Sequence, residues 1–310
     1  MQWSETDEKL NNLFISKNLE DVMKFYSYFK TAEELIVWSK RRPYGRAKIY
    51  EVSGDKEIIV VIPTADYNGE YAKNCRENIF KGLQMVFVDS GGRGDPYFNY
   101  ARSCNYGLKY ALKYNPKWIV LSNDDVIKID EISKLKLELS NVDGNTDVVF
   151  INQSKYHSFQ TFIAHSNILL ILMRAITSKP FKNYNKLLDK FSIKYDTVSK
   201  FRLSHGKFAL YTKIHSFLNI GDFGIFSADF VSSHKPLFDE VFINDYEDLY
   251  LSLLIDLEKE IKKTQISFSI GDIIGGTIGR NRLRTARDLV SLSYFNKQII
   301  KIYGKVLNLK

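Results

Sequence analysis

The chain has 310 residues, of which 45% are hydrophobic and 26% charged, and its formal net charge is +8. These fractions are typical of a folded protein with a sizeable core, and they exclude wholesale disorder and fibrous or low-complexity classes. Two isolated cysteines, an acidic and polar start, and the lack of a run of about 20 apolar residues argue against a disulfide framework, a secretory signal and a transmembrane helix.

The first predicted region is a helical N-terminal extension over residues 1–55. Thr31 and Glu34 have the spacing of a helix capping box, and apolar residues follow on one face of the helix that they would open. The segment Arg41–Arg46 contains a proline and a glycine, which predict the end of that helix.

Four short, continuous apolar runs follow, and they predict strands that are buried on both faces of a parallel sheet. Their starts are about 30 residues apart, which is the length of a βαβ unit. The clearest helix between them is predicted to begin at Asp95–Pro96, with an N-cap followed by proline at the first helical position. We infer a doubly wound α/β half over residues 56–152. The predicted strands are Ile58–Ile62, Met85–Val88, Trp118–Leu121 and Val148–Ile151.

The second half of the chain is predicted to begin with a helical, basic insert over residues 153–205. Between residues 171 and 210, nine basic residues stand against two acidic ones, so this segment holds most of the net charge. Such a segment can contact anionic lipid, a phosphorylated substrate or nucleic acid, or it can be a solvated helix face. The remaining predicted elements lie in 206–285 and 286–310: a helix from Tyr246, a strand over Ile266–Ile270, a Gly-rich loop over Gly271–Arg280 and a C-terminal helix.

Polar residues follow each of the first three predicted strands. Ligands of open α/β sheets bind at the carboxyl ends of the strands, and Thr64, Asp89 and Asp124–Asp125 hold these positions. The adjacent carboxylates of Asp124–Asp125, with Lys128 as the next basic residue, favour a hard divalent cation such as Mg²⁺ or Mn²⁺. Each of these positions also has a structural explanation as a solvated loop, a helix cap or a turn.

Further candidate residues lie on helices and loops after these strands. Arg102 could reach a diphosphate as a bidentate donor, or it could be a surface arginine. Glu247 and Asp248 open a predicted helix, where acids either favour the helix dipole or act as a general base, and Asn244 with Glu247 resembles a capping box. Arg280 could carry a cation onto a phosphate if the Gly-rich loop is a lid rather than a turn.

Five segments stand in the order and spacing of one family's motifs. They are VVIPTADYN (Val60–Asn68), FVDSGG (Phe87–Gly92), ARSCNYG (Ala101–Gly107), LSNDDV (Leu121–Val126) and FDEVFINDYEDLYL (Phe238–Leu251). Together they resemble the family 2 glycosyltransferases, which have the GT-A fold, over about residues 57–300. The resemblance implies an α/β fold with a GT-A-like, doubly wound, mostly parallel sheet flanked by helices. It also implies a nucleotide-sugar-binding half over 56–152 and an acceptor-binding half over 206–285.

The resemblance also implies roles for individual residues. Asp248 would be the catalytic base that deprotonates the acceptor hydroxyl. Asp125 would bind Mg²⁺ or Mn²⁺ on the diphosphate. The nucleotide-sugar would contact Pro63, Thr64, Asp89, Arg102 and Asp124, the acceptor would contact Gly224 and Glu247, and Arg280 would belong to a phosphate lid.

The implied activity is metal-dependent, inverting transfer of a single sugar from a nucleotide-diphosphate sugar to an acceptor hydroxyl. A lipid-linked or cell-envelope glycan is an acceptor of the kind that the resemblance suggests. We expect a cytoplasmic protein whose basic insert contacts an anionic membrane at the inner membrane surface. Each basic residue near such a surface contributes about 1 kcal/mol of binding free energy. No nucleic acid is expected as a partner. Three alternatives stay open: a nucleotidyltransferase, a nucleic-acid-binding protein, and a catalytically silent relative, because Asn123 stands where the family often has its first Asp.

Overall fold

A computed structural model describes residues 3–154, 156–161, 183–191, 212–273 and 281–303 of the chain. Within these ranges the fold is mixed α/β, with helices on both faces of a central sheet. The strands are β1 (Lys48–Val52), β2 (Asp55–Thr64), β3 (Leu83–Asp89), β4 (Trp118–Ser122), β5 (Val126–Lys128), β6 (Val148–Phe150), β7 (Tyr156–Thr161), β8 (Thr212–Leu218), β9 (Phe223–Ser227), β10 (Lys263–Gln265) and β11 (Ile270–Asp272). The helices are α1 (Glu5–Ile15), α2 (Leu19–Ser27), α3 (Ala32–Arg41), α4 (Glu70–Asn74), α5 (Tyr100–Ala111), α6 (Ile132–Ser140), α7 (Tyr184–Lys190), α8 (Ala228–Ser233), α9 (Glu247–Leu257) and α10 (Arg282–Tyr303).

In the described ranges, seven strands form the central sheet in the order β1-β3-β2-β4-β9-β6-β10. The neighbours β3, β2 and β4 are parallel, and so are β6 and β10. Of these seven described strands, β1 and β9 run in the opposite direction, because β1 pairs antiparallel with β3 and β9 pairs antiparallel with both β4 and β6. The prediction of a mixed α/β fold with a mostly parallel sheet is therefore confirmed.

The central strands form because their side chains are buried on both faces. Ile59 and Val61 pack with α5 and α9 on one face, and Val60 and Ile62 pack with α4 and α6 on the other. Every residue of β3 and β4 is buried as well. This explains the continuous apolar runs, and the four strands predicted from them are all present, with β4 and β6 separated by β9.

The N-terminal region is helical as predicted over α1, α2 and α3, but its last part is not. Residues 48–52 form β1, which extends the sheet beside β3. This edge strand is exposed or half-buried throughout, so it lacks the apolar pattern that marks the inner strands. The three helices also do not stand alone, since they share one apolar and aromatic cluster with α7 and α10.

The helix predicted from Asp95–Pro96 begins later, at Tyr100. Asn99 is its N-cap, and its Oδ1 accepts a hydrogen bond of 2.9 Å from the backbone N–H of Arg102. The Asp95 side chain instead accepts from the backbone N–H of Tyr97, at 2.7 Å, and so fixes the loop before the helix. Capping residues are common in turns as well as at helix starts, and here the turn prevails.

The second half departs from the prediction in two places. Residues 156–161 form β7, which pairs antiparallel with β8, where a helical region without strands was predicted. The strand predicted over Ile266–Ile270 is replaced by β10 before it and β11 at its end. The predicted helices from Tyr246 and over the C-terminal region are confirmed as α9 and α10. Of the basic segment 171–210, only residues 183–191 lie within the described residues.

Candidate active site

The sheet brings several chain segments to one edge. Because β2, β3 and β4 are parallel, their carboxyl ends lie together, and Thr64 pairs in register with Asp89. The antiparallel strand β9 starts where β4 ends, since Phe223 pairs with Ser122. The loop before β9, residues 219–222, therefore reaches the same edge as the polar residues that follow β4.

Thr64 and Asp124 are joined directly at this edge. The Thr64 hydroxyl donates to Asp124 Oδ2 over 2.6 Å, and both residues are buried. This is the length of a charge-assisted hydrogen bond, which is stronger than a neutral one. The Cys75 thiol donates to the Asp124 carbonyl at 3.3 Å. Burial raises the pKa of Cys75, and the nearby carboxylates of Asp124 and Asp125 raise it further, so Asp125 lies close to the same group.

Asp89 is held by an arginine from the N-terminal region. Arg46 Nη2 donates to Asp89 Oδ2 over 2.8 Å, and the backbone N–H of Gly91 donates to Asp89 Oδ1 over 3.0 Å. The Asp89 side chain is 5% exposed whereas that of Arg46 is 50% exposed. Asp89 thus forms the turn that the sequence suggested and also an ion pair. Arg46 was not singled out from the sequence, because its only local signal was the break between a helix and a strand.

The amide of Asn123 links β4 to the loop before β9. Its Nδ2 donates to Asp222 Oδ1 at 2.6 Å, and the Tyr100 phenol donates to its Oδ1. A carboxylate at position 123 could not donate to Asp222 and would repel it. Asn123, which differs from the Asp that the resembled motif often has, is therefore compatible with the Asp222 carboxylate beside it. Neither Asp222 nor Tyr100 carried a signal in the sequence.

Asp248 is oriented by the same loop. Asn219 Nδ2 donates to Asp248 Oδ2 over 3.1 Å. Asn219 is itself fixed, because the Ser252 hydroxyl lies 2.8 Å from its Oδ1, and that hydroxyl accepts from the backbone N–H of Ile220 at 3.0 Å. Asp248 lies in the first turn of α9 and is half-buried, so it is both positioned and within reach of solvent.

Glu247, next to Asp248, has a different environment. Its residue is 6% exposed, and its Oε2 has no hydrogen-bond partner. Burial raises the pKa of Glu247 well above its ordinary value, and the charges of Asp248 and Asp245 add to this. The two adjacent carboxyl groups therefore differ in environment: Glu247 is buried with one unpartnered oxygen, and Asp248 is half-buried and accepts from Asn219.

The turn before α9 is built from unusual backbone conformations. Asp245 and Tyr246 both have left-handed φ angles, of 66° and 72°. Tyr246 is the N-cap and no side chain caps the helix, so the capping box predicted for Asn244 with Glu247 is wrong. Non-glycine residues in this region cost about 1–3 kcal/mol each, and they persist where surrounding contacts fix them.

An arginine of α10 supplies such a contact. Arg284 Nε donates to Asp245 Oδ2 at 3.1 Å, and Arg284 Nη2 donates to Asp245 Oδ1. The same guanidinium lies 3.7 Å from Asp288. The fork of Arg284 therefore secures the turn that presents Glu247 and Asp248.

Other predicted site residues have different surroundings. Arg102 Nη1 donates to the Pro43 carbonyl at 2.5 Å, and its Nε lies 3.6 Å from Glu240 Oε2. These contacts direct Arg102 to the N-terminal region and to the loop before α9. Pro63 is buried within β2, and a Cβ on Gly224 would lie 2.9 Å from the Phe226 ring, which indicates packing roles. Arg280 lies outside the described residues.

The residues present fit a divalent cation bound together with a diphosphate. No group of three His, Cys, Asp or Glu side chains in the described part of the chain could hold a metal ion by itself. Mg²⁺ requires only one or two protein carboxylates when substrate phosphates and waters complete its shell. Asp125 and the adjacent Asp124 supply hard oxygen ligands of this kind.

Comparison with known proteins identifies no family for the chain. The sequence matches no protein-family model and no curated protein. No helix within the described ranges is long and apolar enough to cross a membrane. A functional assignment therefore depends on the geometry of the sheet edge and on the sequence motifs.

Proposed function

We propose that the chain is a metal-dependent, inverting glycosyltransferase that moves one sugar from a nucleotide-diphosphate sugar to an acceptor hydroxyl. The observation that carries the proposal is the set of hydrogen bonds that connects both halves of the sheet edge. They run from Thr64 to Asp124, from Asn123 to Asp222, and from Asn219 to Asp248. A transferase needs its donor-binding and proton-accepting groups at one place, and in this proposal the residues at this edge supply both.

Asp248 is the catalytic base in this proposal. Asn219 fixes its carboxylate, which accepts the proton of the acceptor hydroxyl as that oxygen attacks the anomeric carbon. The bond from the anomeric carbon to the diphosphate breaks, and its electron pair leaves with the diphosphate. Burial raises the pKa of Glu247 and so favours its acid form, and in this proposal Glu247 positions the acceptor rather than taking the proton. General base catalysis of this kind contributes about 10²–10⁴-fold.

The opposite part of the edge binds the nucleotide. The Asp89 carboxylate, already paired with Arg46, accepts hydrogen bonds from the base or the ribose. Thr64 orients Asp124 toward the sugar nucleotide. Asp125, with Asp124 beside it, would hold Mg²⁺ or Mn²⁺, which when bound neutralises charge on the leaving diphosphate.

Nucleotide and metal binding can be tested without knowing the acceptor. Thermal unfolding is measured with UDP, GDP and dTDP, each with and without Mn²⁺. We expect one nucleotide to raise the Tm only when Mn²⁺ is present, because a ligand that binds only the folded state stabilises it. Asp125→Ala should remove the Mn²⁺-dependent rise. Asp229→Ala is a matched control, because Asp229 is exposed and follows the other end of β9.

The catalytic step is tested by Asp248→Asn. The assay is release of nucleoside diphosphate from the sugar nucleotide whose base raises the Tm. We expect turnover to fall by about 10²-fold or more, while the nucleotide-induced shift in Tm is kept. Full turnover in this variant would show that Asp248 is not the base. If no nucleotide changes the Tm of the wild-type chain, the glycosyltransferase proposal fails as a whole.

A peripheral membrane contact belongs to the same proposal. Its support is the excess of basic residues between 171 and 210. Co-sedimentation with liposomes is expected to increase with the fraction of anionic lipid, since each basic residue near such a surface contributes about 1 kcal/mol. Binding that is independent of lipid charge would exclude the contact.

A further inference from the structure

A cavity of about 570 Å³ lies between the N-terminal region, α5 and the loop before α9. Its walls include Tyr44–Ala47, Asn99 with one side of α5 from Arg102 to Lys109, and Lys235–Leu237 with Glu240. Its volume falls within the range of about 300–1,000 Å³ that is usual for small-molecule sites. Among its lining residues, Arg102 was predicted to contact the sugar nucleotide and Arg46 holds Asp89, and the others have no role in the proposed sugar transfer.

The carboxylate among the lining residues is already engaged by the protein. Glu240 Oε2 accepts from the Tyr44 phenol at 3.0 Å and lies 3.6 Å from Arg102 Nε. Glu240 Oε1 accepts from Asn105 Nδ2 at 3.0 Å. Asn99 is engaged as well, because its Nδ2 donates to the Glu240 carbonyl at 2.9 Å. These groups stabilise the wall and leave little hydrogen-bonding capacity for a ligand.

Two lysines and part of the aromatic surface remain open to a ligand, although Arg102 lies over the Tyr44 ring, 4.3 Å from its centroid. Lys109 and Lys235 are exposed and make no hydrogen bond or ion pair within the described residues. Arg46 uses Nη2 for Asp89, and a guanidinium carries further N–H donors. Tyr44 and Tyr106 are 74% and 45% exposed. The cavity therefore combines uncompensated positive charge with apolar ring surface.

We propose that this cavity binds an anionic saccharide, that is, a sugar unit that carries a carboxylate or a phosphate group. Ammonium and guanidinium groups form strong charge-assisted hydrogen bonds with both anions. The tyrosine rings supply apolar contact area for the C–H faces of a sugar ring. The preference for an anion follows from the cavity, and the choice of a saccharide rests on the proposed glycosyltransferase function.

The position of Arg46 connects this cavity to the candidate active site. Arg46 lines the cavity, and its Nη2 holds Asp89 at the sheet edge. Through Arg46, a saccharide bound in the cavity is therefore connected to Asp89, one of the groups proposed to bind the sugar nucleotide. The inference narrows the acceptor to an acidic glycan, one unit of which is held by Lys109 and Lys235.

The test is direct binding, measured by calorimetry on the full chain without nucleotide. The probes are tetragalacturonate for a carboxylate, glucose 6-phosphate for a phosphate, maltotetraose as a neutral saccharide and hexaglutamate as an acidic peptide. The variant is the double substitution Lys109→Gln and Lys235→Gln. Lys81→Gln is the matched control, since Lys81 is an exposed lysine outside the cavity. Both altered positions are exposed, so the fold should be retained, and circular dichroism checks this.

We expect tetragalacturonate or glucose 6-phosphate to bind, and the double variant to bind it at least about tenfold more weakly, because the variant loses the charge-assisted hydrogen bonds of both lysines. Lys81→Gln should bind like the wild type, and maltotetraose should not bind. Which of the two anionic probes binds identifies the charged group.

Three results would overturn the inference: no binding of either anionic saccharide, equal binding by the double variant, or binding of maltotetraose or hexaglutamate as tight as that of the anionic saccharides. Its failure is separable from that of the proposed function, because nucleotide-induced changes in Tm do not depend on the cavity lysines.

Discussion

Replacing Glu247 with Gln tests the raised pKa of the buried Glu247 carboxyl. Burial raises the pKa of Glu247 well above the ordinary value of 4.5, with Asp248 and Asp245 adding to the shift. A carboxyl whose pKa is higher in the folded than in the unfolded state stabilises the fold at pH values below its unfolded pKa. This contribution is lost as the pH rises through the folded pKa. The amide in the Glu247→Gln variant cannot ionise, so the stability of the variant does not fall with rising pH as that of the wild type does.

The expected magnitude follows from proton linkage. Above about pH 4.5, the free energy of unfolding of Glu247→Gln minus that of the wild type should rise by up to about 1.4 kcal/mol per pH unit. The rise ends where the wild-type side chain ionises in the folded state. An offset of about 1–3 kcal/mol that does not vary with pH can accompany the change, because the amide is also buried without a known partner. The slope, and not the offset, therefore reports the raised pKa.

Urea unfolding at pH 5, 6, 7 and 8 measures this slope. Glu260→Gln serves as the control, since Glu260 is exposed just beyond the same helix. A constant difference between Glu247→Gln and the wild type across this range would refute the reasoning. Glu247 would then be ionised in the fold, and it would compete with Asp248 for the role of base.

Three further substitutions probe the elements that hold the site, each by urea unfolding at constant pH. Gly107→Ala should destabilise the fold by about 1–3 kcal/mol, since a Cβ there would lie 2.5 Å from a Val61 methyl. This loss exceeds the gain of up to about 1 kcal/mol from the higher helix propensity of alanine. Unchanged stability would mean that α5 can shift. Thr64→Val should cost about 1.5–3 kcal/mol through loss of the 2.6 Å bond to Asp124, and Thr64→Ser should restore most of it. Arg284→Met should lower the free energy of unfolding, because Asp245 loses its ion-pair partner. The loss should lie between the ~1 kcal/mol of an exposed ion pair and the ~3–5 kcal/mol of a buried one. A loss below ~1 kcal/mol would show that other contacts hold the turn.

Much of the fold was predictable because local patterns and tertiary burial agree. Continuous apolar runs are required wherever both faces of a strand are covered, so β2, β3, β4 and β6 were found in the sequence. The same reasoning missed β1, whose residues are exposed or half-buried and carry no such pattern. The strand β7 was missed as well, in a region whose basic and aromatic residues suggested a helix.

The candidate site was predictable only in part. Residues that end predicted strands, such as Thr64 and Asp124, could be placed at one edge because the direction of parallel strands fixes where they end. Arg46, Asn219 and Asp222 could not be found in this way. They come from loops and from distant parts of the chain, and their importance lies in the partners that the fold gives them.

The buried strands and the polar residues that follow them are encoded in local patterns of the sequence, because both depend on neighbours along the chain. The contacts of those polar residues depend on the folded arrangement. The reversal of β9 brings Asn219 and Asp222 to the sheet edge, and the packing of α10 brings Arg284 to the turn before Asp248. Hydrogen bonds and ion pairs depend on distances between atoms, and only the folded chain sets these distances for residues far apart in sequence.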